Sequence, residues 1–384
     1  MRISDYFNPV GLKRPQYTYV EPADALCSAL DIYTENNQIT TIDKYDAVII
    51  GVPEGRDTLN ADTALAPDAI RNKLYQLSRL HSKMNIADLG NFKTGNDIKD
   101  VYFGLRDVMV ELLVRNIAVV LIGGSHSLTY SAFLAFKFLK LQVNMVLTDA
   151  KSDTGNYSER MDSENFLSRI IDENSALPLF DLTLLGYQSY FTNYNQVNDL
   201  NSRLYSTVRL GEVKSDILLC EPLLRDASLV SFDMNAVRQC DAPANVRPSP
   251  NGFSGEEACQ IAKFAGMSDY ASVFGLFEMN PSLDRSDQTA HLASQMIWYY
   301  LEGLSRRVKE LQHKSTLEKF IVRLSNPVDR ELVFYRSPLT QRWWIEVPVP
   351  SREPLLLACS YSDYQTACND EIPDRWWKIF QKVN

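Results

Sequence analysis

The chain has 384 residues, 45% of them apolar, and a formal net charge of −9, enough for a large buried core and unsuited to a phosphate-backbone partner, which sets nucleic acid aside. Residues 1–10 carry no apolar stretch of signal-peptide length, and the longest apolar runs, such as residues 117–122, are far too short for a membrane span, so a soluble, cytoplasmic protein is expected. Six cysteines without CxxC spacing predict buried free thiols rather than a zinc cluster or a disulfide framework.

Residues 1–44 are polar, contain prolines and precede any regular pattern, which marks them as an N-terminal extension. From about residue 45 onward a short apolar strand, a polar turn and an amphipathic helix recur, which predicts βαβ units and a mostly parallel α/β sheet. Residues 47–51 form the first buried strand, and Pro67 opens a helix. Residues 100–115 have helical periodicity, 117–122 read as a strand and 127–139 as a helix. Further strands are predicted at 143–147, 182–186, 229–233 and 273–277. Ser254 and Glu257 have capping-box spacing ahead of a helix to about residue 265, and residues 289–310 form the last long helix.

Beyond residue 312 the character changes. Residues 320–324, 332–335 and 343–347 read as strands, and Trp343, Trp344, Trp376 and Trp377 lie in this stretch. The segment 313–384 is expected to be an appendage packed on the main domain of residues 45–312, or else a docking surface for a protein partner.

Chemistry concentrates at four predicted strand ends: Gly123-Gly124-Ser125-His126-Ser127, Asp149-Ala150-Lys151-Ser152-Asp153, Ser231-Phe232-Asp233-Met234-Asn235, and Glu278-Met279-Asn280-Pro281. In a parallel sheet these ends can meet along the carboxyl edge. One histidine among several aspartates suits Mn²⁺ or a similar cation better than thiolate-bound zinc. Lys151 brings a positive charge into that array, and an ammonium repels a nearby dication unless carboxylates neutralise both.

These motifs, in this order and spacing over roughly residues 45–305, resemble the ureohydrolase family of arginase, agmatinase and formimidoylglutamase, whose pattern reads G-G-D-H-S, D-A-H-x-D, S-x-D-x-D-x-x-D-P and E-x-N-P. The added tail is most similar to formimidoylglutamase-like members. The resemblance implies a three-layer α/β/α sandwich and a site for two Mn²⁺ ions. Carried over residue by residue, one ion position keeps His126, Asp149, Asp153 and Asp233. The other keeps only Asp149 and Asp233, because Lys151 stands at its histidine and Asn235 at its aspartate. Ser125 replaces the carboxylate beside the ligand histidine, Glu278 matches the residue that holds a substrate amidinium, and residues 154–171, where a proton-shuttling histidine is expected, contain none.

Three carboxylates balance one dication plus Lys151, so the pocket is expected to take one Mn²⁺ rather than two, or no metal, with Lys151 bridging the carboxylates. The expectation is a protein that keeps the cleft but hydrolyses amidines weakly or not at all, and serves in binding or as a scaffold. The alternative is an active metal-dependent hydrolase of linear amidine C–N bonds, in which Glu278 holds the cationic nitrogen of a small amidine or guanidine ligand and Lys151 or Asp162 handles protons.

Overall fold

The structure, a computed structural model, describes residues 2–11, 19–157, 160–173, 178–325 and 330–384; residues 1 and 12–18 of the expected N-terminal extension lie outside the described residues. Its strands are β1 (Phe7–Asn8), β2 (Leu30–Ile32), β3 (Ala47–Gly51), β4 (Ile86–Phe92), β5 (Ala118–Ile122), β6 (Val143–Thr148), β7 (Leu179–Tyr187), β8 (Ser206–Arg209), β9 (Leu229–Asp233), β10 (Val273–Phe277), β11 (Glu318–Leu324), β12 (Arg330–Arg336), β13 (Trp343–Val347) and β14 (Leu355–Cys359).

The first ten form one sheet in the order β1-β4-β3-β5-β10-β9-β6-β7-β8, with β2 also on β4. Every pairing is parallel except β1 with β4. Alternate residues of each inner strand enter opposite cores. Val48 and Ile50 of β3 join one side, with Val101, Leu105 and Phe133 from helices Ile98–Leu113 and Thr129–Leu139. Ala47 and Ile49 join the other, with Ile70, Ile261 and Ile297 from helices Ala66–Leu74, Gly255–Gly266 and Gln288–Ser305. A sheet covered on both faces explains why its central strands read as unbroken apolar runs. Mostly parallel strands between two helical layers are the α/β architecture expected from the sequence.

Two features were not foreseen. The N-terminal extension supplies strands to this sheet: β2 pairs Leu30–Ile32 with the first half of β4, and β1 pairs Phe7 and Asn8 with Phe92 and Asn91. Gly90, at φ +84°, permits that closure, since a side chain there would meet the Asn8 carbonyl. The strand β4 itself escaped notice because Asp88, Gly90 and Asn91 make it look polar. Asp88 is wholly buried, and Arg71 neutralises it with Nε donating to Oδ2 and Nη2 to Oδ1, each at 2.8 Å.

The tail forms a separate antiparallel sheet, β11-β12-β13-β14, backed by helices Tyr361–Cys368 and Asp374–Val383. It meets the larger unit at the amino-terminal edge of the main sheet. Arg225 donates to the carbonyls of Trp343 and Cys359 at 3.0 Å and lies over the Trp344 ring; Asp226 accepts from the Ala358 amide and from Arg375. Trp343, Trp344 and Trp376 are buried, while Trp377 is partly exposed. Among the cysteines, Cys220, Cys259 and Cys359 are buried free thiols as expected, but Cys240 and Cys368 are exposed. Among the described residues no helix is long and apolar enough to cross a membrane.

Candidate metal centre

The strands β5, β10, β9 and β6 are consecutive neighbours, so the four motif-bearing ends form one continuous stretch of the carboxyl edge. The chain moves outward from β3 to β4 on one side and from β6 to β8 on the other, which opens a crevice between the two halves. Gly124 lets the loop after β5 pack against the loop after β3: the Ser125 amide donates to the Glu54 carbonyl at 2.8 Å, and a side chain at position 124 would collide with that same oxygen.

His126, Asp149, Asp153 and Asp233 converge there, each buried, each offering a ligand atom within 4.8 Å of the others. His126 Nδ1 faces Asp153 Oδ2 at 3.1 Å, Asp233 Oδ2 at 3.5 Å and Asp149 Oδ2 at 3.6 Å. Its Nε2 lies 2.9 Å from Ser231 Oγ, which in turn contacts Thr129 Oγ1 at 2.6 Å. With Nε2 as donor, Nδ1 is left as the coordinating nitrogen. Phe166 and Phe277 pack on the imidazole at centroid distances of 4.8 and 5.5 Å and fix the ring.

The charges are unbalanced. Burial opposes a proton on His126, yet the three aspartates outweigh it and hold its pKa well above the ordinary value. Burial and the Asp149 charge push Asp153 well up and Asp233 up, whereas for Asp149 the His126 contact more than offsets burial and lowers it. Asp149 Oδ2 is buried without a hydrogen-bond partner, as is Asn235 Oδ1. One imidazole nitrogen, a cluster of carboxylate oxygens and an orphaned buried oxygen form a donor set that fits a hard divalent cation of the Mn²⁺ kind.

Above this centre lies a cavity of about 310 Å³ whose lining includes Asp149, Lys151, Asp153, Asp233, Asn235, Arg247 and Glu278. Lys151 does not bridge the aspartates as expected. Its backbone amide donates to Asp149 Oδ1, while its ammonium reaches Glu164 Oε1 at 2.9 Å on the cavity rim. Arg247 Nη1 approaches the same oxygen at 3.4 Å. Burial pulls the lysine pKa down, but Glu164 outweighs it and the net shift is upward, so the group stays protonated. A half-exposed position beside a carboxylate costs the ammonium less hydration than burial among the ligands.

Glu278 closes the fourth side. Its Oε1 accepts from the His126 amide and its Oε2 from Thr58 Oγ1, both at 2.9 Å; Asn60 and Asn245 bind its backbone carbonyl. Burial first, then the Asp233 charge, pushes its pKa up to about 8. Glu278 and Asp153 hold left-handed backbone, with φ of 64° and 48°. Asp162, by contrast, is outside the cavity lining; its Oδ1 caps a turn by accepting from the Glu164 amide at 2.9 Å.

Sequence reasoning missed the loop after β3. Besides Thr58 and Asn60 it carries Asp57, a buried carboxylate that accepts from the Tyr102 and Ser127 hydroxyls, with Ser125 Oγ 3.1 Å from Ser127 Oγ. A carboxylate from another segment thus stands beside the serines that flank His126. Only the motif G-G-S-H-S, with serines on both sides of His126, hinted that some acceptor must sit nearby.

The arginase family model matches residues 45–302. The formimidoylglutamase of Lysinibacillus sphaericus is 24% identical over 289 residues, covering 70% of this chain and 88% of its own length. That of Bacillus subtilis is 21% identical over 311 residues, covering 75% and 98%. The crystal structure of Trypanosoma cruzi formiminoglutamase with Mn²⁺ superposes with a TM-score of 0.67 at 18% identity, over 74% of this chain and all of the other. Proclavaminate amidino hydrolase from Streptomyces clavuligerus gives 0.61 at 22% identity, over 78% of this chain and 100% of the other. With its family pattern spanning the whole carboxyl edge that builds the centre, the chain belongs to the arginase family.

Proposed function

We propose that the protein is a metal-dependent, formimidoylglutamase-like hydrolase of linear amidine C–N bonds, with one Mn²⁺ held by His126, Asp149, Asp153 and Asp233. The observation that carries this reading is the direction of Lys151: its ammonium is paired with Glu164 at the rim instead of neutralising the aspartates. The excess carboxylate charge then calls for a cation from outside. A bound Mn²⁺ would acidify water and polarise the amidine.

The remaining work falls to the chain. Glu278, whose pKa is raised first by burial and then by the Asp233 charge, is favoured in its ionised form when a cationic amidinium is brought beside it, and so orients that group. Its carboxylate is aimed by Thr58 and the His126 amide, so the ligand's nitrogen is fixed relative to the metal ligands. Lys151 lines the same cavity as a protonated group and can give, not take, a proton at its Nζ.

The test is metal-dependent formamide release from N-formimino-L-glutamate, with agmatine and arginine as comparison substrates. Turnover that disappears with chelator and returns with Mn²⁺ is the expected result. A second reading, ligand binding with weak or no hydrolysis, is favoured by Lys151 and Asn235 standing where the family pattern has ligands of a second ion. Stoichiometric Mn²⁺ without turnover of any of the three substrates would select it over the first.

A further inference from the structure

A second cavity, of about 320 Å³, opens at the carboxyl ends of β7 and β8. Arg209 at the end of β8, Lys214 on helix Leu210–Ser215 and Arg238 on the loop after β9 all line it, and among the described residues no acidic side chain does. In a chain with a net charge of −9, three cations from two separate segments around one cavity form a marked local reversal of sign.

The nearby acids neutralise it only in part. Lys214 pairs with Glu257 at 3.0 Å and Arg238 with Asp241 at 2.9 Å. Both carboxylates are also engaged by backbone amides, Glu257 by Ser254 and Asp241 by Gly255, each at 2.7 Å. Arg209 is exposed and has no ion-pair partner among the described residues. Tyr187 and Tyr190 supply aromatic wall, and the Tyr190 hydroxyl is anchored on Gln188.

This cavity is distinct from the metal centre. The segments 188–191 and 249–251 separate the two, with Phe191 and Ser249 on the side of the centre and Tyr190 and Pro250 on this side.

We propose that this cavity binds a small divalent oxyanion, its charged end between Arg209 and Arg238 and its body against the two tyrosines. Planar guanidiniums favour the bidentate geometry that phosphate and carboxylate groups present, and the volume admits a small metabolite. A phosphate monoester and a dicarboxylate share this chemistry, and the probes separate them.

The experiment is calorimetric titration of the full-length protein with inorganic phosphate and, separately, with succinate. One saturable site per chain is expected for at least one probe, with a Kd below about 1 mM that weakens as salt rises. Saturation by phosphate alone assigns a phosphate monoester, and saturation by succinate alone a dicarboxylate. Arg209→Ala, and independently Arg238→Ala, should weaken binding about tenfold or more, since each removes a charge-assisted contact. Mn²⁺ binding and the melting temperature should be unchanged in Arg209→Ala, whose side chain is solvent-exposed; Arg209→Gln serves as a second variant with the same expected loss. Absence of saturation by both probes, or wild-type affinity in both Arg209 variants, overturns the proposal. Neither result depends on whether the metal centre is hydrolytic.

Discussion

Two buried charge clusters sit in the same sheet, and their contrast separates structural chemistry from functional chemistry. Arg71 and Asp88 are both fully buried, and every strong contact is answered: two guanidinium–carboxylate bonds, the Tyr75 hydroxyl on Asp88 Oδ2, the Gly90 amide on Oδ1 and the Gly90 carbonyl under Nη2. Around His126, three carboxylates crowd one ring nitrogen, and Asp149 Oδ2 has no hydrogen-bond partner. The first cluster is neutral and closed. The second is poised for a dication, and its residual charge makes it costly for the metal-free fold.

The largest effect that would test this contrast is on the closed cluster. Arg71→Ala should destabilise the fold by about 3–5 kcal/mol, because it strands the Asp88 carboxylate in the core. Chemical denaturation would measure it, and a loss below 1 kcal/mol would mean the pair is not the anchor described.

Asp153→Asn, at the acid whose pKa is pushed well up by burial and by Asp149, should act in the opposite sense. Removing one of three crowded carboxylates leaves the metal-free melting temperature unchanged or raised, while the loss of a direct ligand lowers Mn²⁺ affinity by about a hundredfold or more. Parallel melting of metal-free protein and direct metal titration give both numbers. A variant destabilised as severely as Arg71→Ala would erase the distinction between the clusters.

The smallest effect is on protons. In the metal-free centre His126 is raised well above its ordinary pKa, so its contribution to stability is present in full below the unfolded imidazole value and lost as pH rises through the folded one. Asp153 and Asp233 are raised as well, and an acid whose folded pKa is raised costs the fold stability as pH climbs from its unfolded value to its folded one. Both signs agree: metal-free protein should lose stability as pH rises from neutrality, and Mn²⁺ should bind more tightly over the same range while releasing protons. Titrations in buffers of different ionisation enthalpy would count them, and proton uptake on binding would contradict the assignment.

Much of this was legible in the sequence, for physical reasons that differ by element. The strands β3, β5, β6, β9 and β10 are buried on both faces and therefore spell themselves as apolar runs, and the four centre residues follow them at fixed offsets. The strand β4 was hidden because its buried aspartate is compensated by an arginine in the preceding helix, a pairing no local window contains. The short strands β1 and β2 carry too few residues to show a period. Lys151 was placed correctly beside the centre but not in direction, since Glu164, its partner, lies thirteen residues further on in a turn without periodicity. Asp57, Thr58 and Asn60 come from a polar loop whose role appears only when the sheet brings it against the loop after β5.

The left-handed backbone at Asp153 and Glu278 sets a limit on portability. For a residue with a side chain that conformation costs about 1–2 kcal/mol, and here it is held by remote groups: the Leu167 amide on the Asp153 carbonyl, the Gly124 carbonyl under the Glu278 amide, and the side chains of Asn60 and Asn245 on the Glu278 carbonyl. Transplanting the two short motifs into an unrelated scaffold would carry their letters without their shape. A working copy would have to import the surrounding loops as well.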